Sequence, residues 1–265
     1  MKLKRVLLVL AIAMSPCLAI GSQGDPVASE VDGWHVSSVT SGVQIVAISP
    51  DLAAPGAVSV TVQNMTAKRV VTIEIEGYGT DWFEHQEDSG SFEPGSQYTV
   101  NLARSLFRQD RADVTAVMFS DDTGYGPPEA LAAIRRRHIG VTYATVYLKR
   151  LWDAVPVAAS PLETIDAVRA RLGSPSESAE DTLVLMRQVE LPGHHLEKIM
   201  TLEPSQQLDF AVGAGGVLQT AAQELARDRS QMVADPVHAA YLIQLWRTRY
   251  AESTKRTTAW LGGLQ

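Results

Sequence analysis

Hydrophobic and polar positions change rhythm twice along the chain. Val6 to Met14 is an unbroken apolar run. Between Val43 and Phe119 apolar and polar residues alternate in short bursts. From Pro128 onward the apolar positions recur every three or four residues. The middle stretch predicts strands over 43–48, 57–63, 69–76, 97–102 and 113–119. In Ala57 to Gln63 the residues Val58, Val60 and Val62 share one face. In Arg69 to Glu76 the pattern turns Val71, Ile73 and Ile75 inward and Thr72, Glu74 and Glu76 outward. Strict alternation gives a strand one wet face and one buried face, as in antiparallel sheets packed face to face. Turn-forming residues separate the bursts at Pro50-Asp51, Pro55-Gly56, Asn64 to Ala67 and Glu93 to Ser96. Short strands at this spacing predict a β-sandwich of about 90 residues with Val60, Val62, Ile73, Ile75 and Val117 in its core.

The last stretch predicts helices. One starts at Pro128 and carries Leu131, Ile134, Val141, Leu148 and Trp152 at helical spacing; Gly140 and the β-branched Val141, Thr142, Thr145 and Val146 weaken its middle. Ser160-Pro161-Leu162-Glu163 reads as a capping box with proline at the first helical position, and Gly173 ends that helix. Further helices are expected over 178–190, over 205–229 and from Asp235-Pro236 to Leu261. Gly213-Ala214-Gly215-Gly216 interrupts the third of these patterns and predicts a close helix contact or a kink.

Val62-Gln63-Asn64, a polar turn, Val70 to Ile75, and then Phe92-Glu93-Pro94-Gly95-Ser96 before Tyr98 form a run that resembles immunoglobulin-like or fibronectin-type-III-like modules of exported bacterial proteins. The resemblance covers about residues 36–121. It implies an Ig-like sandwich and a tendency towards adhesion or partner binding, and it carries no catalytic residue. The expected fold is therefore α+β: an N-terminal antiparallel β-sandwich, Ig-like, followed by an α-helical region. The expected boundaries are a signal peptide at 1–21, a linker at 22–35, the sandwich at 36–126 and the helical region at 127–265.

The N-terminus supplies an address. Lys2, Lys4 and Arg5 precede the apolar run, Ser15-Pro16 breaks it, and Ala19 and Gly21 are small residues suited to cleavage. That is the layout of a secretory signal peptide. The run is about half the roughly 20 residues needed to span a bilayer, so no stable transmembrane anchor is expected. Cys17 is the single cysteine. Pro16 immediately before it fits lipid attachment poorly. Cleavage after Ala19 or Gly21 leaves no thiol, which removes disulfides, thiol catalysis and cysteine-ligated zinc together. The expected location is periplasmic or secreted.

Charge is unevenly spread. Residues 22–127 hold 5 basic and 15 acidic residues, whereas residues 128–265 hold 15 of each. An acidic balance disfavours nucleic acid and anionic membrane surfaces as partners, and it keeps an exported domain soluble.

Catalytic signatures are sparse. The sequence contains no Gly-x-Ser-x-Gly elbow and no Ser-x-x-Lys pair. His194-His195-Leu196-Glu197 follows Pro192-Gly193 at a helix start, but adjacent helical side chains diverge by about 100°, too far to share one ion. Asp121 to Ala132 places Gly126 where a calcium loop has its glycine, yet Thr123, Tyr125 and Ala132 replace ligands, so a turn before a helix is expected. The Arg135-Arg136-Arg137 run reads as a wet face or a patch docking on the acidic sandwich. The candidate binding residues are Asp81, Trp82, Glu84, Glu87, Asp88 and Glu93, an acidic loop between strands. No cofactor, metal or catalytic residue is assigned. The expected function is a non-catalytic binding or scaffolding protein of the bacterial envelope with a protein or glycan partner. The competing expectation is a glycan-directed, carboxylate-based hydrolase using loop 81–93.

Overall fold

The computed structural model describes residues 27–52, 54–75, 78–81, 92–107, 109–156, 160–176 and 178–263. The expected signal peptide lies outside them. Strands come first: β1 (Val27–Val31), β2 (Trp34–Ser38), β3 (Val43–Pro50), β4 (Ala57–Asn64), β5 (Val70–Ile75), β6 (Tyr78–Asp81), β7 (Gln97–Ala103), β8 (Arg111–Phe119) and the short β9 (Gly124–Tyr125). Helices follow: α1 (Pro128–Asp153), α2 (Pro161–Leu172), α3 (Ala179–Met186), α4 (His195–Met200), α5 (Pro204–Ala234) and α6 (Pro236–Gly263).

The five strands expected from alternation are present. Residues 27–35, read from the sequence as linker, instead form β1 and the start of β2. Most of β1 is exposed, so it carries no hydrophobic alternation; backbone pairing with β2 holds it.

The strands form two sheets. The larger runs β1-β2-β8-β5-β6, with β9 beside β8; the smaller runs β3-β4-β7. The expectation of antiparallel pairing throughout is corrected here. β2 runs parallel to β8, with His35 opposite Arg111 and Ser38 opposite Val114, so the larger sheet is mixed. Parallel neighbours need a long connection. The chain supplies one, since it builds β3 to β7 before returning along β2.

One apolar core lies between the sheets. The smaller sheet contributes Val43, Ile45, Ile48, Val58, Val60, Val62 and Leu102, and the larger contributes Trp34, Val36, Ile73, Ile75, Val114 and Val117. The far face of the larger sheet is also covered. Val71, Ala116 and Met118 belong to the core of the helical half. The molecule thus has three layers: small sheet, large sheet, helices.

This third layer overturns the reading of β5. All its residues are buried. Val71 faces the helices rather than the inter-sheet core, aided by a register irregularity between Val70 and Thr72. Thr72 and Glu74, expected in water, lie beneath α1. Thr72 Oγ1 is 2.6 Å from His138 Nε2, and Glu74 is ion-paired with Arg137. Arg135 reaches Asp122 at 3.0 Å. Arg136 turns the other way, to Glu129 and to Asp209 of α5. The arginine run therefore does dock on the strand half, through Arg135 and Arg137.

Within the helical half, α1 is enclosed from His138 to Leu148. The capping box of α2 forms as its sequence predicts: Ser160 N–H donates to Glu163 Oε2 at 2.9 Å and Glu163 N–H to Ser160 Oγ at 3.3 Å. α5 continues unbroken through Gly213 to Gly216. A Cβ on Gly213 would lie 2.1 Å from the Arg137 carbonyl oxygen, and one on Gly140 2.1 Å from that of Phe210. Of the two readings of the glycine cluster, the close helix contact is the correct one. No helix among the described residues is long and apolar enough to cross a membrane.

The two faces of β5 can be told apart by mutation. Ile73→Ala opens a cavity between the sheets and is expected to cost about 2–5 kcal/mol. Thr72→Ala takes a hydrogen-bond partner from buried His138 and is expected to cost about 1–3 kcal/mol. Urea melts decide. A Thr72→Ala midpoint equal to that of the unmutated protein would return Thr72 to solvent.

Candidate functional site

The acidic loop singled out from sequence lies mostly outside the described residues: Trp82, Glu84, Glu87 and Asp88 all do. Asp81 ends β6, where its backbone pairs with Thr72. Glu93 follows Phe92, which bridges to Val70, and its carboxylate is 3.8 Å from Arg69. The turn-like stretch after β8 is engaged internally. Asp121 binds Lys68 at 2.7 Å and Asp122 binds Arg135, so neither carboxylate is left to a cation. Hydrogen bonds from Lys68 and Thr123 hold the Asp121 carboxyl below its ordinary pKa, against the opposing pull of burial.

The helical half presents a more developed concavity. An open cleft of about 670 Å³ lies between α1 and the segment joining α3 to α4. Its lining combines apolar Val189, Leu191, Leu196 and Met200 with Tyr143, Arg187, Glu190, His194 and Glu197. Val189 and Leu196 are buried, Leu191 and Met200 are half-buried, and the four charged or imidazole side chains stand exposed at the rim.

Local chemistry builds this shape. α3 stops at Met186, and Val189 N–H turns back to its carbonyl at 2.9 Å. Arg150, on α1, donates to the carbonyls of Gln188 at 2.9 Å and Glu190 at 3.2 Å, which clamps the connection. Gly193 and His194 then adopt positive φ, 91° and 52°. Glycine is required at 193 for a second reason: a Cβ there would lie 2.6 Å from His195 Nε2. The adjacent histidines separate as helical geometry demands. His194 is exposed, with Nδ1 3.3 Å from Glu197 Oε2, while His195 is buried. Burial pushes the His195 pKa below its ordinary value.

Tyr143 forms the polar point of the floor. It is buried from the middle of α1 and packs edge-on against Phe210. Its Oη accepts from Leu196 N–H at 3.2 Å, satisfying a first-turn donor of α4 that helix geometry leaves orphaned. Burial pushes the phenol above its ordinary pKa. Since Oη accepts from Leu196 N–H, its own O–H is left to donate to a second partner.

Among the described residues no serine, threonine or cysteine lines this cleft. Among the described residues no three His, Cys, Asp or Glu side chains converge as a metal site requires. The arrangement is suited to holding a partner. The sequence drew attention to 192–197 but not to Tyr143, Arg187, Leu191 or Met200. The available signal was a tyrosine in a stretch of α1 that its neighbours mark as enclosed. Comparison with known families, with curated proteins and with solved structures found no match.

Proposed function

We propose that this chain is an exported, non-catalytic binding or scaffolding protein of the bacterial envelope that engages a protein partner through the cleft of its helical half. The observation that carries the reading is the cleft itself. An apolar floor with one buried hydroxyl donor and a polar rim is how binding sites divide affinity from orientation. The basic start and short apolar run at residues 1–21 support export and removal of that segment. An immunoglobulin-like character for the strand half belongs to the same proposal; its support is the Phe92 to Ser96 turn, which leads into β7 across from β4.

The test is site-specific. A photoreactive amino acid at His194 is expected to give one discrete adduct when the protein is irradiated in its own envelope fraction. The same group at Glu180, exposed on α3 and outside the cleft lining, is expected to give none. Leu191→Glu places a charge on the half-buried floor and is expected to abolish the His194 adduct. Equal labelling from both positions, or an adduct indifferent to Leu191→Glu, would remove the cleft as a binding site.

A further inference from the structure

The lining of the helical cleft holds a donor that the fold leaves with nothing to donate to. Tyr143 is 1% exposed, and its Oη accepts from Leu196 N–H at 3.2 Å. Its own hydroxyl hydrogen meets no acceptor among the described residues. Buried polar groups nearly always have their hydrogen-bond partners. A hydroxyl hydrogen left over in the lining of a cleft therefore points to an acceptor brought by whatever binds there.

The charge around that donor decides which acceptor fits. Burial chiefly, and the nearby Glu197 carboxylate in addition, oppose ionisation of the phenol, so a negative group already acts on this hydroxyl. Glu190 stands on the same rim, and its carboxylate has no ion-pair partner among the described residues. An anionic acceptor on Tyr143 would meet both carboxylates. A neutral carbonyl would not, and a cation carried beside that carbonyl would be drawn to them. Arg187, the one arginine or lysine of the lining, has no ion-pair partner among the described residues either and can donate to a further carbonyl.

One group found on every polypeptide combines these features on the right scale. In a first residue the α-ammonium nitrogen and the carbonyl oxygen lie roughly 3 Å apart. The cleft offers their complements from one turn of chain, since Leu196 N–H is bonded to Tyr143 Oη and Glu197 is the next residue. A lysine side chain carries its charge at the end of four carbons, away from its own carbonyl. Apolar side chains following the first residue have Val189, Leu191, Leu196 and Met200 to cover them. We propose that the cleft captures the free N-terminus of a partner polypeptide whose first side chains are apolar, with the first carbonyl on the Tyr143 hydroxyl and the α-ammonium on Glu197. This rests on the cleft being a binding site and adds which part of the partner enters it.

Isothermal titration calorimetry of the purified protein with three C-terminally amidated tetrapeptides tests this: Leu-Val-Leu-Ala with a free N-terminus, the same peptide N-acetylated, and N-acetylated Leu-Lys-Leu-Ala. The free-ended peptide is expected to bind at least about tenfold more tightly than either blocked one, the effect of one charge-assisted hydrogen bond. Glu197→Gln, at an exposed position, is expected to erase that preference while leaving affinity for the acetylated Leu-Val-Leu-Ala within about twofold. Tyr143→Phe is expected to weaken all three peptides alike, by about tenfold. Thermal melts check that this variant is folded, because Leu196 N–H loses its acceptor; Glu197→Gln decides if it is not. No binding of the free-ended peptide at millimolar concentration overturns the proposal. So does equal affinity for either blocked peptide, or a preference for the free end that survives Glu197→Gln. A discrete His194 adduct obtained alongside any of these results keeps the cleft as a binding site and removes only its recognition of chain ends.

Discussion

Gly213→Ala is expected to be among the most damaging single-methyl changes in this protein. The added carbon would lie 2.1 Å from the Arg137 carbonyl oxygen, far inside van der Waals contact, and the obstacle is backbone rather than a movable side chain. α1 and α5 would have to separate along a crossing that organises the whole helical half. Overpacking a tight site costs about 1–3 kcal/mol and sometimes more; with two helices to displace, about 3 kcal/mol or above is expected. That is a fall in thermal midpoint of roughly 6–12 °C for a chain of this size. Gly216→Ala supplies the control within the same helix. Nothing lies within 4 Å of a Cβ there, and the position is exposed. Alanine favours a helix over glycine by about 1 kcal/mol, so this variant should be slightly stabilised. Thermal melts that show the two changes moving the midpoint in the same direction would contradict the close crossing.

Arg137→Met is expected to rival it. Glu74 is 7% exposed, on the face of the large sheet that α1 covers. Removing its partner leaves a carboxylate sealed without a countercharge, a loss of about 3–5 kcal/mol. The double change Glu74→Leu with Arg137→Met removes both charges and should recover most of it, since apolar replacements of buried pairs are often neutral or better. Urea denaturation of the two singles and the double measures the coupling. A double variant as unstable as the sum of its singles would show that the two side chains do not interact.

Much of the layout was legible in the residues. Val58, Val60 and Val62 announce a one-sided strand, and Ser160 to Glu163 announces a helix start. What could not be read is what covers the second face of a strand. Thr72 and Glu74 are polar, and polarity at alternate positions ordinarily means water. Here it means buried hydrogen-bonding partners on a helix some 65 residues later. The parallel pairing of β2 and β8 was hidden for a related reason, since alternation reports a strand's faces and not its neighbours. The cleft was half visible. Pro192-Gly193-His194-His195 marked a sharp entry into a helix, but Tyr143 sits 50 residues earlier, and only the fold brings its hydroxyl to Leu196.

The sheet-to-α1 seam also sets an order of assembly. A chain is made from its N-terminus, and its domains generally fold as units in that order. Here β1 to β9 can pair with one another while Val71, Ala116, Met118 and Glu74 still lack their cover. That cover is α1, itself enclosed only once α5 and α6 pack around it. A strand half folded without α1 would therefore leave an apolar, partly charged face open to solvent. Such an open face is a general aggregation hazard of partly folded chains, and the packed seam of the finished structure removes it.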